Sequence, residues 1–117
     1  MTETGLSGLM ASTKVCTISD IAPGHMAAFF VDGWEVVVVR DSSGTFRAYD
    51  GICPHEDYPL VDGELDDDVL MCAGHAWCFD VTNGKCINQP SFTLAQYQVD
   101  IRDSELFVDR VRIDAVD

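Results

Sequence analysis

Basic residues are scarce in this chain. Seven Lys and Arg stand against twenty Asp and Glu, a formal net charge of −13 at pH 7, and the seven are nowhere clustered. That balance excludes the electrostatic footprint of a nucleic-acid binder or of a protein held on an anionic membrane. Long apolar runs are also missing. The longest unbroken one, Met26 to Val31, is far short of the roughly 20 residues that span a bilayer as a helix. No window repeats its apolar residues at a convincing helical period, which argues against a helical domain. The first basic residue is Lys14, and Met1 to Met10 contains no long apolar run, so a secretory leader is not expected. Cysteines number five, an odd count that fits a disulfide framework poorly. The expected compartment is a reducing cytoplasm, and the five thiols need a purpose other than stapling.

What is present is a chain of 117 residues with 47% hydrophobic content, enough for one domain with its own core. Its signals are those of short strands and turns. Val15-Cys16-Thr17-Ile18 is β-prone, Ala22-Pro23-Gly24 is a turn, and Met26 to Val31 reads as a strand. Asp32-Gly33 followed by Trp34 to Val39 is a hairpin signature: a pair tolerant of positive φ, then a β-branched run. The four valines Val36 to Val39 mark a central strand buried on both faces. Asp41 to Gly44 makes the next turn, and Thr45 to Tyr49 alternates as a strand. Leu60 to Leu65 reads as a turn-rich connection, Asp66 to Asp68 as a solvated bend, and Val69 to Cys72 as a strand. Trp77 to Asp80 and Lys85 to Ile87 read as the arms of a hairpin around Thr82-Asn83-Gly84. Asn88 to Ser91 reads as a loop. Tyr97 to Arg102 and Glu105 to Val108 read as a closing hairpin. The expectation is an all-β antiparallel sandwich or small barrel. Residues 1–13 form a loose segment, 14–110 the domain and 111–117 a frayed tail.

The residues that carry chemistry lie in two short stretches. Cys53-Pro54-His55 and Cys72-Ala73-Gly74-His75 are separated by the sixteen residues Glu56 to Met71. Each stretch offers one thiolate and one imidazole. Most Fe–S clusters are held by four cysteines, but in Rieske centres two histidines replace two cysteines on one iron. A Cys₂His₂ zinc site uses the same donor types, although zinc pairs more often read Cys-x₂₋₄-Cys with His-x₃₋₅-His. Pro54 stiffens the first stretch, and Gly74 permits close approach in the second.

The paired motif resembles that of Rieske-type [2Fe–2S] proteins, and the resemblance runs from about Lys14 to Asp109. It implies a β-sandwich carrying a small cluster-binding subdomain of two ligand loops, at about 50–90. It implies one [2Fe–2S] cluster, with Cys53 and Cys72 on a buried inner iron and His55 and His75 on an outer one. The family's high-potential members have a disulfide between the two loops. The matching positions here are Tyr58 and Gly74, so no such bridge can form. Those members also donate hydrogen bonds from a serine and a tyrosine, where this chain has Trp77 and Phe79. Fewer donors imply a reduction potential at the low end of the Rieske range, on the order of −150 mV.

The motif's immediate surroundings, His75-Ala76-Trp77-Cys78-Phe79, look most like the ferredoxins of soluble diiron monooxygenases acting on aromatic or alkene hydrocarbons. The implied activity is one-electron transfer without catalysis. The implied partners are a flavin-dependent NAD(P)H reductase and an oxygenase component, met by a monomer through a rim that includes Glu56, Asp57 and Pro90. With His55 and His75 committed, only His25 is left, too few for a mononuclear oxygen-activating site of two histidines and a carboxylate. The alternatives are the ferredoxin of an aromatic-ring dioxygenase, a small subunit like that of nitrite reductases, and a zinc-stabilised binding module. Cys16, Cys78 and Cys86 are read as buried free thiols, and His25 as an exposed bystander.

Overall fold

The run Val36 to Val39 lies at the centre of the molecule, and all four side chains are fully buried. Because strand side chains alternate, Val36 and Val38 enter one apolar cluster while Val37 and Val39 enter another. A strand buried on both faces needs covering layers on each side, and the remaining chain supplies them. The computed structural model describes residues 12–54, 58–74 and 77–113. Among the described residues nine strands run in order: β1 (Ser12–Thr17), β2 (His25–Val31), β3 (Trp34–Arg40), β4 (Phe46–Asp50), β5 (Glu64–Asp66), β6 (Val69–Met71), β7 (Cys78–Asp80), β8 (Gln96–Arg102) and β9 (Glu105–Ile113). Helical structure among the described residues is limited to two 3₁₀ turns, Ile18–Asp20 and Leu60–Asp62.

Six strands form one antiparallel sheet in the order β1-β9-β8-β4-β3-β2, and three form a smaller sheet, β5-β6-β7. The large sheet curls until β1 and β9 approach β2, which encloses the cluster containing Val36, Val38, Tyr97, Leu106 and Val108. The small sheet covers its other face, around Val37, Val39, Tyr49, Leu70 and Phe79. Both cysteines of the candidate site belong to this second cluster. The architecture is the antiparallel all-β sandwich with a small attached sheet.

Several turns follow directly from their residues. Asp32 and Gly33 hold φ of 54° and 78°, the mirror-image turn that matches strand twist. Asp103 and Ser104 adopt the same geometry, with φ of 52° and 71°, without a glycine. The β3–β4 turn is organised by Asp41, the one buried charged residue among those described. Its Oδ1 accepts from Ser43 N–H at 2.9 Å, Ser43 Oγ at 2.6 Å and Thr45 N–H at 3.0 Å, and its Oδ2 accepts from Arg47. Burial alone would raise this carboxyl, but the Ser43 hydroxyl, the Arg47 guanidinium and the two backbone donors outweigh it and hold the pKa down at about 2. The small sheet is fastened to the large one by two polar contacts. Ser42 donates from N–H (2.8 Å) and Oγ (2.7 Å) to the Asp68 carboxylate, and Tyr49 Oη donates to the Val81 carbonyl at 2.8 Å.

The structure departs from the sequence reading in four places. Glu64 to Asp66 is a strand, not a connection and bend; it pairs Glu64↔Met71 through Asp66↔Val69, with the reversal at Asp67 and Asp68. Lys85 to Ile87 pair with Cys78 to Asp80 as the hairpin reading expects, with Asp80 N–H donating to the Lys85 carbonyl at 2.9 Å, Ile87 N–H to the Cys78 carbonyl at 2.7 Å and a bridge between Phe79 and Cys86, but this arm is not a regular strand. In the turn between the arms, Asp80 Oδ1 accepts from Thr82 N–H and Oγ1 and the Asp80 carbonyl accepts from Gly84 N–H. Strand β9 continues to Ile113, so Val111 is not in a tail. The register shifts between Tyr97 and Gln98, after which Tyr97↔Arg112 and Gln96↔Ile113 resume the pairing; that irregularity breaks the alternation a sequence reading relies on. Strand β1 begins at Ser12, because Ser12 and Thr13 pair with Asp109 and Val108.

Candidate metal centre

Cys53 and Cys72 each stand at the end of a narrow pair of antiparallel segments. In the first, Ile52 bridges Pro59, Leu60 N–H donates to the Gly51 carbonyl at 2.8 Å, and Cys53 N–H donates to the Tyr58 carbonyl at 2.8 Å. In the second, Met71 pairs with Cys78, and Cys72 N–H donates to the Trp77 carbonyl at 3.0 Å. The two loops are thus built alike: a cysteine at the start of a six-residue loop, its N–H closing onto the carbonyl five residues later. Cys53 is 0% and Cys72 1% exposed, and neither is in a disulfide.

His55 and His75 lie outside the described residues, as do Glu56 and Asp57 of the expected rim. No group of three or more metal-ligating side chains is found among the described residues. A two-thiol, two-imidazole donor set nevertheless fits what is described. Two buried cysteines from two alike loops enter one apolar cluster, which suits a cluster whose thiolate end is shielded from water. Pro54, in the first loop, and Pro90 are both exposed.

The surroundings hold features that the sequence reading did not anticipate. Gly63 sits against the second loop so tightly that an added Cβ would lie 1.9 Å from the Met71 carbonyl oxygen and 3.2 Å from Ala73 N. Gly74 meets the Tyr58 ring, so the two loops touch there. The Trp77 ring packs against Phe92 at 4.6 Å between centroids and edge-on to Phe79 at 6.4 Å. Trp77 is therefore partly buried against the cysteine-bearing cluster, while Phe79 is fully buried and carries no hydroxyl. Asn88 Oδ1 accepts from Cys78 N–H at 3.1 Å and Cys86 Sγ at 3.3 Å, tying the loop after β7 to the second ligand hairpin. An open cleft of about 440 Å³ lies between Trp34, Asp50, Pro54 and Leu94 and reaches Cys53.

Of the other candidate residues, Cys86 shares the apolar cluster of Cys53 and Cys72, whereas Cys16 does not. Cys16 belongs to the far cluster, where burial first, and then Asp20, pushes its thiol up; such a thiol is inert. Cys86 is buried as expected, whereas Cys78 is only half-buried. His25 is exposed, with Nδ1 3.2 Å from the Pro23 carbonyl.

A family model described as the Rieske [2Fe-2S] domain matches residues 11–98. The ferredoxin component of the alkene monooxygenase system of Xanthobacter autotrophicus is 38% identical over 95 residues, covering 80% of this chain and 77% of that protein. The ferredoxin component of biphenyl 2,3-dioxygenase of Rhodococcus jostii is 37% identical over 101 residues, covering 86% and 94%. Among solved structures, a chain from the complex of reduced oxygenase and oxidised ferredoxin in carbazole 1,9a-dioxygenase superposes with a TM-score of 0.78. It is 27% identical, and the match covers 89% of this chain and 97% of that one.

Proposed function

This chain belongs to the Rieske [2Fe–2S] domain family, and from that premise we propose that it is a ferredoxin carrying single electrons from a flavin-dependent NAD(P)H reductase to the hydroxylase component of a diiron hydrocarbon monooxygenase. The observation that carries the proposal is the pair of alike loops, each presenting one buried cysteine into the same apolar cluster. A bound [2Fe–2S] cluster supplies reversible one-electron chemistry. The chain's own contribution is to hold and shield it. Cys53 and Cys72 are assigned as its thiolate ligands, and His55 and His75 as its imidazole ligands. The domain is assigned to 14–110, with its outermost strands reaching Ser12 and Ile113, and the cluster-binding part to about 50–90.

Partner recognition follows from what surrounds the loops. Tyr58, which meets Gly74, and Phe92, which meets Trp77, are exposed apolar rings at the two ligand loops, on a chain of formal charge −13. A small apolar surface on a strongly acidic protein suits brief docking to basic surfaces. The monooxygenase partner is supported by the similarity to the alkene monooxygenase ferredoxin component. An aromatic-ring dioxygenase partner is the second reading, favoured by the nearly equal similarity to the biphenyl dioxygenase ferredoxin component. Stopped-flow oxidation of the reduced protein by a diiron hydroxylase and, separately, by a Rieske dioxygenase oxygenase component distinguishes them. The proposal expects faster transfer to the hydroxylase; faster transfer to the dioxygenase component would establish the second reading, and transfer to neither would defeat both.

A further inference from the structure

The two ligand loops come from different hairpins, and one contact between them is made by a ring and a backbone. A Cβ placed on Gly74 would lie 2.9 Å from Tyr58 Cε2, 3.1 Å from Tyr58 Cδ2 and 4.0 Å from Cys72 Sγ. The ring edge of Tyr58 therefore rests on the Gly74 backbone, and the same Gly74 position also borders the Cys72 sulfur. Tyr58 also closes its own loop, because its carbonyl accepts from Cys53 N–H at 2.8 Å. One residue thus fixes the first loop through its backbone and reaches the second through its side chain. Although 43% exposed, its ring spends its contact on the one loop position without a side chain to displace it.

We propose that Tyr58 is a positioning residue whose ring, clamped on Gly74, locks the first ligand loop to the second and screens the Cys72 sulfur from water. The inference rests on the assignment of Cys53, His55, Cys72 and His75 as cluster ligands. Three properties follow from the geometry. The contact is made by ring carbons, so the hydroxyl is dispensable. The ring is stiff, with few rotamers to lose, so it braces at little entropic cost. Opening the contact lets water donate hydrogen bonds to the thiolate, which stabilises the more negative, reduced state and makes the potential more positive.

The test is made on the purified, cluster-containing protein and its Tyr58→Phe, Tyr58→Leu, Tyr58→Ala and Gly74→Ala variants. The readouts are iron per chain, the rate of cluster loss in excess chelator followed by visible absorbance, and the reduction potential. Tyr58→Ala and Tyr58→Leu are expected to lose the cluster at least about fivefold faster and to shift the potential positive. Tyr58→Phe is expected to match the parent within about twofold. Gly74→Ala drives the ring off its seat and is expected to behave like Tyr58→Ala. It should add little when Tyr58 is already alanine, because the two changes break one contact. If Tyr58→Ala does not take up iron, the comparison of Leu with Phe carries the same distinction. Equal damage by Phe and Ala, unchanged cluster loss in Leu, or fully additive effects of Tyr58→Ala and Gly74→Ala would each overturn the inference while leaving the ligand assignment standing. A parent protein without iron would overturn both.

Discussion

Gly63→Ala is the substitution whose consequence the structure defines most sharply. Gly63 has an ordinary φ of −84°, so an alanine meets no intrinsic backbone objection there. The obstacle is tertiary. The new Cβ would lie 1.9 Å from the Met71 carbonyl oxygen and 3.0 Å from its carbon, and a contact under 3.0 Å is one that real Cβ atoms essentially never show. The separation must open by about 1.1 Å merely to reach that floor. Neither side gives way easily: Met71 is held between Glu64 of β5 and Cys78 of β7, and the next residue is Cys72. Overpacking of this kind typically costs 1–3 kcal/mol, and a rigid backbone partner places Gly63→Ala near the top, at about 3 kcal/mol. For a domain of this size the midpoint of thermal unfolding should fall by roughly 12 °C or more. Iron content after purification should fall with it, because the displaced segment carries a ligand. Gly24→Ala is the control: its φ is +83° and nothing lies within 4 Å of the added Cβ, so it should cost only about 1–2 kcal/mol of backbone strain and leave iron content unchanged. The assay is a thermal melt with iron quantified on the same samples. A Gly63→Ala protein that melts like the parent and keeps its iron would refute the reasoning.

Three further outcomes are expected. Asp41 has a folded-state pKa of about 2, below its ordinary range, so its stabilisation is complete above about pH 4 and is lost as pH falls toward 2. The difference amounts to on the order of 2 kcal/mol, and urea unfolding of Asp41→Asn should lose stability at pH 6 but show a flatter decline than the parent between pH 4 and 2.5; parallel curves would exclude the carboxylate as the cause. His75→Ala is expected to abolish the native visible and paramagnetic signature, and a variant with an unchanged spectrum would remove His75 from the ligand set. With a formal charge of −13, reduction by the reductase should slow several-fold as salt rises from about 0.05 to 0.5 M, through screening of acidic steering; a salt-independent rate would assign the acidity to solubility alone.

Local signals that agree with tertiary demand were legible in the sequence. Val36 to Val39 could only be a strand covered on both faces, and the Asp32-Gly33 pair announced its hairpin before any partner was known. The two cysteine motifs were equally readable, and both cysteines are buried in one apolar cluster. What escaped depends on partners distant in sequence. Glu64 to Asp66 has three residues and gains its strand character from pairing with β6. The extension of β9 to Ile113 depends on Gln96 and Tyr97 across a register shift. Gly63 looked like a turn residue, and its actual constraint is the Met71 carbonyl opposite. The contact of Tyr58 with Gly74 falls at the two positions where the resemblance places an inter-loop bridge in other members, whereas Phe92 on Trp77 is a contact that no sequence spacing announces.

The central claim is that Cys53, His55, Cys72 and His75 hold one [2Fe–2S] cluster in an electron carrier. The most direct measurement is electron paramagnetic resonance of the chemically reduced protein, with iron and zinc assayed on the same sample. The account predicts two irons per chain and a rhombic signal whose average g value lies below that of all-cysteine clusters. A silent sample containing one zinc and no iron would contradict it.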